Sequence, residues 1–282
     1  MHSHTAAAQV INRLQQADIA IVNKVKLDAS VLAALPQLSA ILVAATGMDN
    51  IDLNAARQRG IKVSNVQHYA DTAVPQQVFA MLLALSNQLL PYQRAVQQGR
   101  WQQSQHFCFM DYPITELAGK TMTLVGYGSL GQRVATLAEA FGMTVVIAER
   151  VNAAVCRPGR TPFEQALAKA DVVSLHCPLN EDTHQLMNAA RLAMMKPTAI
   201  LINSARGALV DSAALLQALT QGQLAAAAID LLAAEPPDAN EPLLQTPLDN
   251  LLITPHVGWA SQQARQHMVQ ILSSQLYQLL SA

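Results

Sequence analysis

His256, in Thr254-Pro255-His256, and Glu235, in Glu235-Pro236-Pro237, form the pair in this chain best suited to moving a proton. A carboxylate bonded to one ring nitrogen fixes the tautomer of an imidazole and favours its charged form, which leaves the other nitrogen to protonate a carbonyl oxygen. A single histidine is more often structural, so the pairing carries the reading. For His68, His106, His176 and His184 the sequence offers no such pairing argument, and they read as structural or cofactor-adjacent. Arg206 follows the apolar run Ile200-Leu201-Ile202 and precedes Gly207. A guanidinium at a strand end can grip a carboxylate through two parallel hydrogen bonds, the alternative being an ordinary surface ion pair.

A second constellation binds rather than reacts. Thr121 to Val125 is apolar apart from its threonines and leads into Gly126-Tyr127-Gly128-Ser129-Leu130-Gly131, after which Val134, Leu137 and Ala138 recur at helical spacing. This is a strand, a phosphate-binding turn and a helix. Gly126 permits the tight turn, Gly128 lets the backbone approach a pyrophosphate, and Gly131 lets the helix pack close to the strand. A second strand follows and closes on Glu149, where an acid would accept from a ribose hydroxyl. Such a glycine pattern alone is weak, but the flanking strand, helix and acid make it a dinucleotide site. Asp230 ends another apolar run and either accepts from a cofactor amide or caps a helix.

The elements that must position these residues are read from hydrophobic pattern. Strands are expected at 19–22, 41–45 and 61–64, alternating with helical segments at 6–15, 30–35 and 54–59. A helix is expected over 72–90, bridging two domains, with Pro75 tolerated in its first turn. Residues 100–113 form a long aromatic-rich connection, either an arm on another subunit or a crossover packed on its own domain. Further apolar runs at 144–148, 172–175, 199–203, 224–229 and 251–254 suit strands covered on both faces, hence a parallel sheet. The run at 224–229 holds four consecutive alanines, which favour helix, but Gly222 precedes it and Asp230 ends it. An amphipathic helix at 262–280 returns to the first domain.

Composition bounds the function. With 282 residues there is room for two domains, and 51% hydrophobic against 13% charged residues suits an α/β protein with much buried sheet. No apolar run is long enough to span a membrane, and the start has neither the basic nor the apolar region of a secretory signal, so a cytoplasmic protein is expected. A net charge of −1 without a basic stripe argues against nucleic-acid or membrane partners. Cys108, Cys156 and Cys177 are too few and too scattered for a disulfide framework or a metal site, and no metal is expected.

On these residues the chain resembles the D-isomer-specific 2-hydroxyacid dehydrogenases, in their glycerate dehydrogenase and hydroxypyruvate reductase branch. The resemblance runs through Ala45-Thr46-Gly47-Met48-Asp49-Asn50-Ile51-Asp52-Leu53, the glycine-rich turn, Leu175-His176-Cys177-Pro178-Leu179, Asn203-Ser204-Ala205-Arg206-Gly207, Asp230 with Glu235-Pro236, and Thr254-Pro255-His256-Val257-Gly258-Trp259. It implies an α/β fold with a Rossmann-type doubly wound parallel sheet domain, residues 66–257, and a smaller flavodoxin-like substrate domain, residues 1–65 completed by 258–282. It also implies a homodimer that transfers hydride between a nicotinamide and a small 2-keto acid. Arg206 would bind substrate, His256 would be the acid/base and Glu235 its partner, while the backbone of Thr46 and Gly47 would hold the substrate carboxylate. Gly126, Gly128, Ser129, Leu130, Gly131, Glu149, Cys177, Ser204 and Asp230 would line the cofactor, with NAD expected over NADP because Glu149 repels a 2′-phosphate, although Arg150 beside it could accommodate one.

Relative to that family the chain lacks an opening strand and helix, which would leave a gap between strands 19–22 and 41–45, and Gln77 stands where the branch often has histidine. Co-repressors that sense a dinucleotide resemble the same fold and keep the same dyad. A cofactor-binding interaction protein and an inactive truncated dehydrogenase are therefore the alternatives.

Overall fold

The computed structural model describes residues 2 and 4–281. Met1, Ser3 and Ala282, at the ends of the two segments expected to form the smaller domain, lie outside the described residues. The chain divides into two compact units, Met1–Ala70 with Ala260–Ala282, and Asp71–Trp259.

The first unit is a parallel sheet of β1 (Ile19–Val22), β2 (Ala40–Val43) and β3 (Lys62–Asn65), in that order. Short helices connect the strands, and their starts are set by Asp28 and Asp52, whose carboxylates accept from Val31 N–H at 3.1 Å and Ala55 N–H at 2.9 Å. Every residue of β2 is buried. Ile41 and Val43 pack on one face with Leu27, Leu32 and Leu35, and Leu42 packs on the other with Val66 and Leu272 of the helix Gln262–Leu280. The gap expected between the strands at 19–22 and 41–45 does not exist. Ile19 pairs with Ala40 and Val22 with Val43, so the main-chain groups facing each other on these two strands are satisfied by one another.

The second unit is a six-stranded parallel sheet built from β4 (Thr121–Val125), β5 (Thr144–Ile147), β6 (Val172–Leu175), β7 (Ile200–Asn203), β8 (Ala226–Ile229) and β9 (Leu251–Ile253), in the order β5-β4-β6-β7-β8-β9. Alternate residues feed two cores. Val125, Val173, Leu175, Leu201, Ala227 and Ile229 face one, and Met122, Leu124, Val172, Ile202, Ala226 and Ala228 face the other. The alanines of β8 form a strand despite their helical preference because ladders to β7 and β9 flank them and cover sits on both faces, where small side chains suit close helix approach. From β4 the chain turns to β5 on one side and then to β6 on the other, so a crevice opens between the carboxyl ends of β4 and β6, the usual ligand position in such sheets.

The single helix expected over 72–90 is two. Ala73–Ser86 ends where Gln88 takes a φ of 54°, and Leu89–Gln97 follows. In an unbroken helix the ring of Pro91 would collide with the Asn87 carbonyl; the break moves Pro91 into a first turn, where its missing N–H has no helical partner to lose. Val78, Met81, Leu82 and Leu85 pack with Val134 and Ala138 inside the second unit. The connection after it is closed on itself, with Arg100 on Asp111 at 2.7 Å and 4.9 Å above the Phe109 ring, and Tyr92 edge-on to Tyr112.

Candidate active site

Two of the three glycines of the phosphate-binding turn are required by sterics, and the third leaves its surroundings open. Gly126 has a φ of 98°, and a Cβ there would lie 2.6 Å from the backbone of His176 and Cys177, so the turn leans on the end of β6. A Cβ on Gly131 would lie 2.5 Å from the Gly126 carbonyl, which is the close packing of helix on strand. A Cβ on Gly128 would meet nothing within 4 Å, so this side of its backbone is open to approach. Gly128 caps the helix Ser129–Ala140, whose first turn carries no acidic side chain, and the half-buried Ser129 and Leu130 begin it. Ser129 Oγ donates to the Asp71 carboxylate at 3.2 Å, and the N–H donors of this helix start favour a pyrophosphate.

At the end of β6, burial pushes the His176 imidazole down to about 4 and the Cys177 thiol up to about 11. Both are therefore neutral near pH 7, His176 shares a 2.9 Å hydrogen bond with Ser174, and Cys177 contributes a lining surface rather than a nucleophile. Past β7, Asn203 is fully buried and shapes the turn that presents Arg206. Its amide donates to the Arg206 carbonyl at 2.8 Å and its Oδ1 accepts from Ala205 N–H at 3.1 Å. Within that turn Ser204 Oγ is buried with no partner among the described residues, an orphaned donor and acceptor beside the crevice. A Cβ on Gly207 would fall 2.0 Å from the Leu232 carbonyl carbon, so the Arg206 turn lies against the loop that carries Glu235.

Glu235 and His256 meet as expected. Nδ1 of His256 lies 2.8 Å from both carboxylate oxygens, with the side chains 23% and 30% exposed, so the pair is sheltered yet open on one side. Because a carboxylate only accepts, Nδ1 carries the proton toward Glu235 and Nε2 is left for chemistry. His256 has a φ of 54°, and Asp230 sustains that conformation. Asp230, 2% exposed, accepts at Oδ1 from Thr254 Oγ1 at 2.5 Å and Val257 N–H at 3.0 Å, and at Oδ2 from Gly258 N–H at 2.9 Å, while its carbonyl accepts from His256 N–H at 2.5 Å. Gln77 donates to Thr254 Oγ1 at 3.2 Å and completes the network. Most of the acceptor capacity of Asp230 is thus spent on the turn that aims His256.

Glu149 stands at the end of β5 but is only 3% exposed and is surrounded by protein donors. Arg157 Nε reaches Oε2 at 2.8 Å, Arg157 Nη2 donates to Oε1, Arg157 N–H donates to Oε2 at 3.0 Å and Arg150 N–H donates to Oε1 at 2.7 Å. The Arg157 side chain and these main-chain donors hold the carboxyl well below the usual carboxylate range despite its burial. The arginine that engages Glu149 by its side chain is therefore Arg157, whereas Arg150 is exposed and contributes its N–H. Arg157, Asn203 and Thr254 escaped sequence reasoning; only the amide and hydroxyl at strand ends hinted at the latter two.

Arg206, Glu235, His256, Asp230, Ser204, Cys177 and the glycine-rich turn thus all belong to the second unit, at the carboxyl ends of its strands. Thr46 and Gly47 belong to the first, just past β2, where Thr46 Oγ1 donates to the Val66 carbonyl at 3.0 Å and Asn65 Nδ2 to the Thr46 carbonyl at 2.6 Å. Among the described residues no group of His, Cys, Asp and Glu could hold a metal ion, and no helix is long and apolar enough to cross a membrane.

A family model for the NAD-binding domain of D-isomer-specific 2-hydroxyacid dehydrogenases matches residues 79–258. The chain is 44% identical over 268 residues to the glycerate dehydrogenase of Methylorubrum extorquens, covering 95% of this chain and 83% of that protein. It is 35% identical over 283 residues to the hydroxypyruvate reductase of Blautia hydrogenotrophica, covering 99% and 87%. Among solved structures, D-lactate dehydrogenase from Aquifex aeolicus complexed with NAD and lactic acid matches with a TM-score of 0.83 and 27% identity, over 96% of this chain and 85% of that one.

Proposed function

The chain belongs to the D-isomer-specific 2-hydroxyacid dehydrogenases, and from that premise we propose how its own residues carry the reaction. It is an oxidoreductase that interconverts a small 2-keto acid and the D-2-hydroxy acid with NAD as cofactor, in the glycerate dehydrogenase and hydroxypyruvate reductase branch. The residues fit the cofactor: the open backbone at Gly128 suits a pyrophosphate, and the orphaned Ser204 Oγ offers a partner near the Arg206 turn. When bound, the nicotinamide supplies or takes the hydride at C2 of the acid.

The observation that carries the assignment of roles is the pairing of His256 Nδ1 with Glu235 at 2.8 Å. His256 gives the proton from Nε2 to the keto oxygen during reduction and takes it back during oxidation. Glu235 holds the ring and supports the charge it gains. Arg206 grips the substrate carboxylate by its planar fork, and Thr46 and Gly47 of the first unit offer their N–H groups to a carboxylate. Ser129, Leu130, Cys177 and Ser204 line the cofactor, and Asp230 offers its remaining acceptor capacity to the carboxamide.

The protein acts as a homodimer in the cytoplasm. Phe107 and Met110, 90% and 86% exposed, support a partner surface on the connection after the helix Leu89–Gln97, and three free cysteines suit a reducing compartment. Light scattering at micromolar concentration checks the first point.

Oxidation of NADH with hydroxypyruvate, glyoxylate and pyruvate tests the activity. Turnover with at least one of them is expected. Cofactor-stabilised melting without turnover on any 2-keto acid would instead favour a dinucleotide-sensing protein.

A further inference from the structure

The end of β5 carries one carboxylate and three guanidinium groups. Between Glu149 and Arg160 the charged residues are Glu149, Arg150, Arg157 and Arg160, with no second acid. An acid at this position excludes a 2′-phosphate by two means, its negative charge and its free acceptor atoms for the ribose hydroxyls. Glu149 is deprived of both. Its charge is matched by Arg157 through a two-point contact at Nε and Nη2, and both oxygens take main-chain donors as well, from Arg150 and Arg157. A carboxylate has room for roughly four donors, and those places are filled. With only 3% of Glu149 exposed, water hardly competes, so this is a fixed pair and not a transient surface one.

The arginine side of the pair remains available. Arg157 is 46% exposed, and a guanidinium has five N–H donors in a planar fork, so donors remain after the grip on Glu149. Arg160 lies against the same strand end, with Nη1 donating to the Ala148 carbonyl at 3.3 Å, and Arg150 is exposed beside it. The local charge is therefore positive where the motif alone leads one to expect a negative wall.

We propose that Arg157 is a cofactor-selectivity residue: by occupying Glu149 it removes the barrier to a 2′-phosphate and presents a guanidinium to it, so that the protein binds NADPH alongside NADH. This rests on the dinucleotide-binding reading above and adds to it a position that sets the ratio between the two cofactors. The ionised state of Glu149 supports it, because a carboxylate that stays charged keeps its hold on Arg157 throughout the working pH range.

The test measures binding. Titrating the wild-type protein with NADH and with NADPH, followed by nicotinamide fluorescence at fixed ionic strength, should give dissociation constants within about tenfold of each other. In Arg157→Ala, NADPH should bind at least about tenfold more weakly, as expected for loss of one charge-assisted contact, and NADH should change less than about threefold. Competition by 2′,5′-ADP against ADP isolates the adenosine end and should follow the same pattern. Arg157→Lys, which keeps the charge but loses the fork, should fall between the two. Wild-type protein that binds NADH but takes NADPH more than a hundredfold more weakly would overturn the selectivity proposal and leave the dehydrogenase reading standing. Binding of neither would sink the dinucleotide reading itself. Equal loss of both cofactors in a normally melting Arg157→Ala would make Arg157 structural only. If that variant does not melt cooperatively, Arg157→Lys and the wild-type competition decide between the same outcomes.

Discussion

Gly258 donates its N–H to Oδ2 of Asp230 at 2.9 Å, and a methyl group built on Gly258 would lie 2.9 Å from that same oxygen. The oxygen has nowhere to go, because Asp230 is buried and its other oxygen is held by Thr254 and Val257. Gly258→Ala should therefore displace the turn that aims His256, and a shift of about 1 Å in a catalytic group costs up to about a hundredfold in rate. We expect kcat to fall at least about tenfold, with a smaller loss of NADH affinity. Steady-state kinetics beside a fluorescence titration check this, and wild-type kcat would show that Gly258 has room for a side chain.

His256→Ala should lower kcat by at least about a hundredfold, the usual contribution of a positioned acid/base. NADH binding should persist, since the phosphate-binding turn lies elsewhere on the sheet. Glu235→Gln should cost at least about tenfold, because an amide can donate as well as accept and no longer fixes which ring nitrogen holds the proton. Turnover indifferent to both changes would remove the pair from the mechanism.

Arg206→Lys separates binding from chemistry. An ammonium keeps the charge but cannot make two parallel hydrogen bonds to a carboxylate. KM for the 2-keto acid should rise at least about tenfold, with cofactor affinity intact. An unchanged KM would mean that the arginine serves its own turn, where Nη1 already donates to the Ala205 carbonyl at 2.7 Å.

His176 makes stability depend on acid. Burial lowers its pKa from 6.5 to about 4, so below pH 6.5 the unfolded chain binds a proton that the folded chain refuses. Stability should fall as pH drops from about 6.5 toward about 4 and level off below, by at most about 3 kcal/mol from this residue. Denaturant melts at pH 7 and pH 4.5 should show a smaller difference for His176→Gln than for the wild-type protein. Equal differences would place the acid sensitivity elsewhere.

Much of this was legible in the residues because it rests on local pattern. The strands and their parallel pairing follow from short apolar runs, and Gly126 and Gly131 are where only glycine fits. The Glu235 and His256 pairing could be argued because each follows a strand end. The break at Gln88 was hidden by an apolar periodicity that continues past it, although Pro91 was a clue. The grip of Arg157 on Glu149 was not readable, since it spans a segment without periodicity and depends on how a loop folds back. The direct pairing of β1 with β2 likewise escaped inspection, because nothing in an apolar run says which other run will lie beside it.

The first unit is discontinuous, and this has a consequence for how the chain is made. Leu42 and Val66 are covered by the helix Gln262–Leu280, through Leu272, so their cover is synthesised only after the whole of Asp71–Trp259. At about 5–20 residues per second, the rate at which ribosomes extend a chain, that interval lasts about 10 to 40 seconds. During it a fully buried strand of the finished protein, β2, has one apolar face bare while the second unit emerges and can already close on its own contiguous segment. The nascent chain thus has a scheduled period of stickiness ended by its last helix, and the ribosome-bound form missing that helix is the species a chaperone would be called to hold.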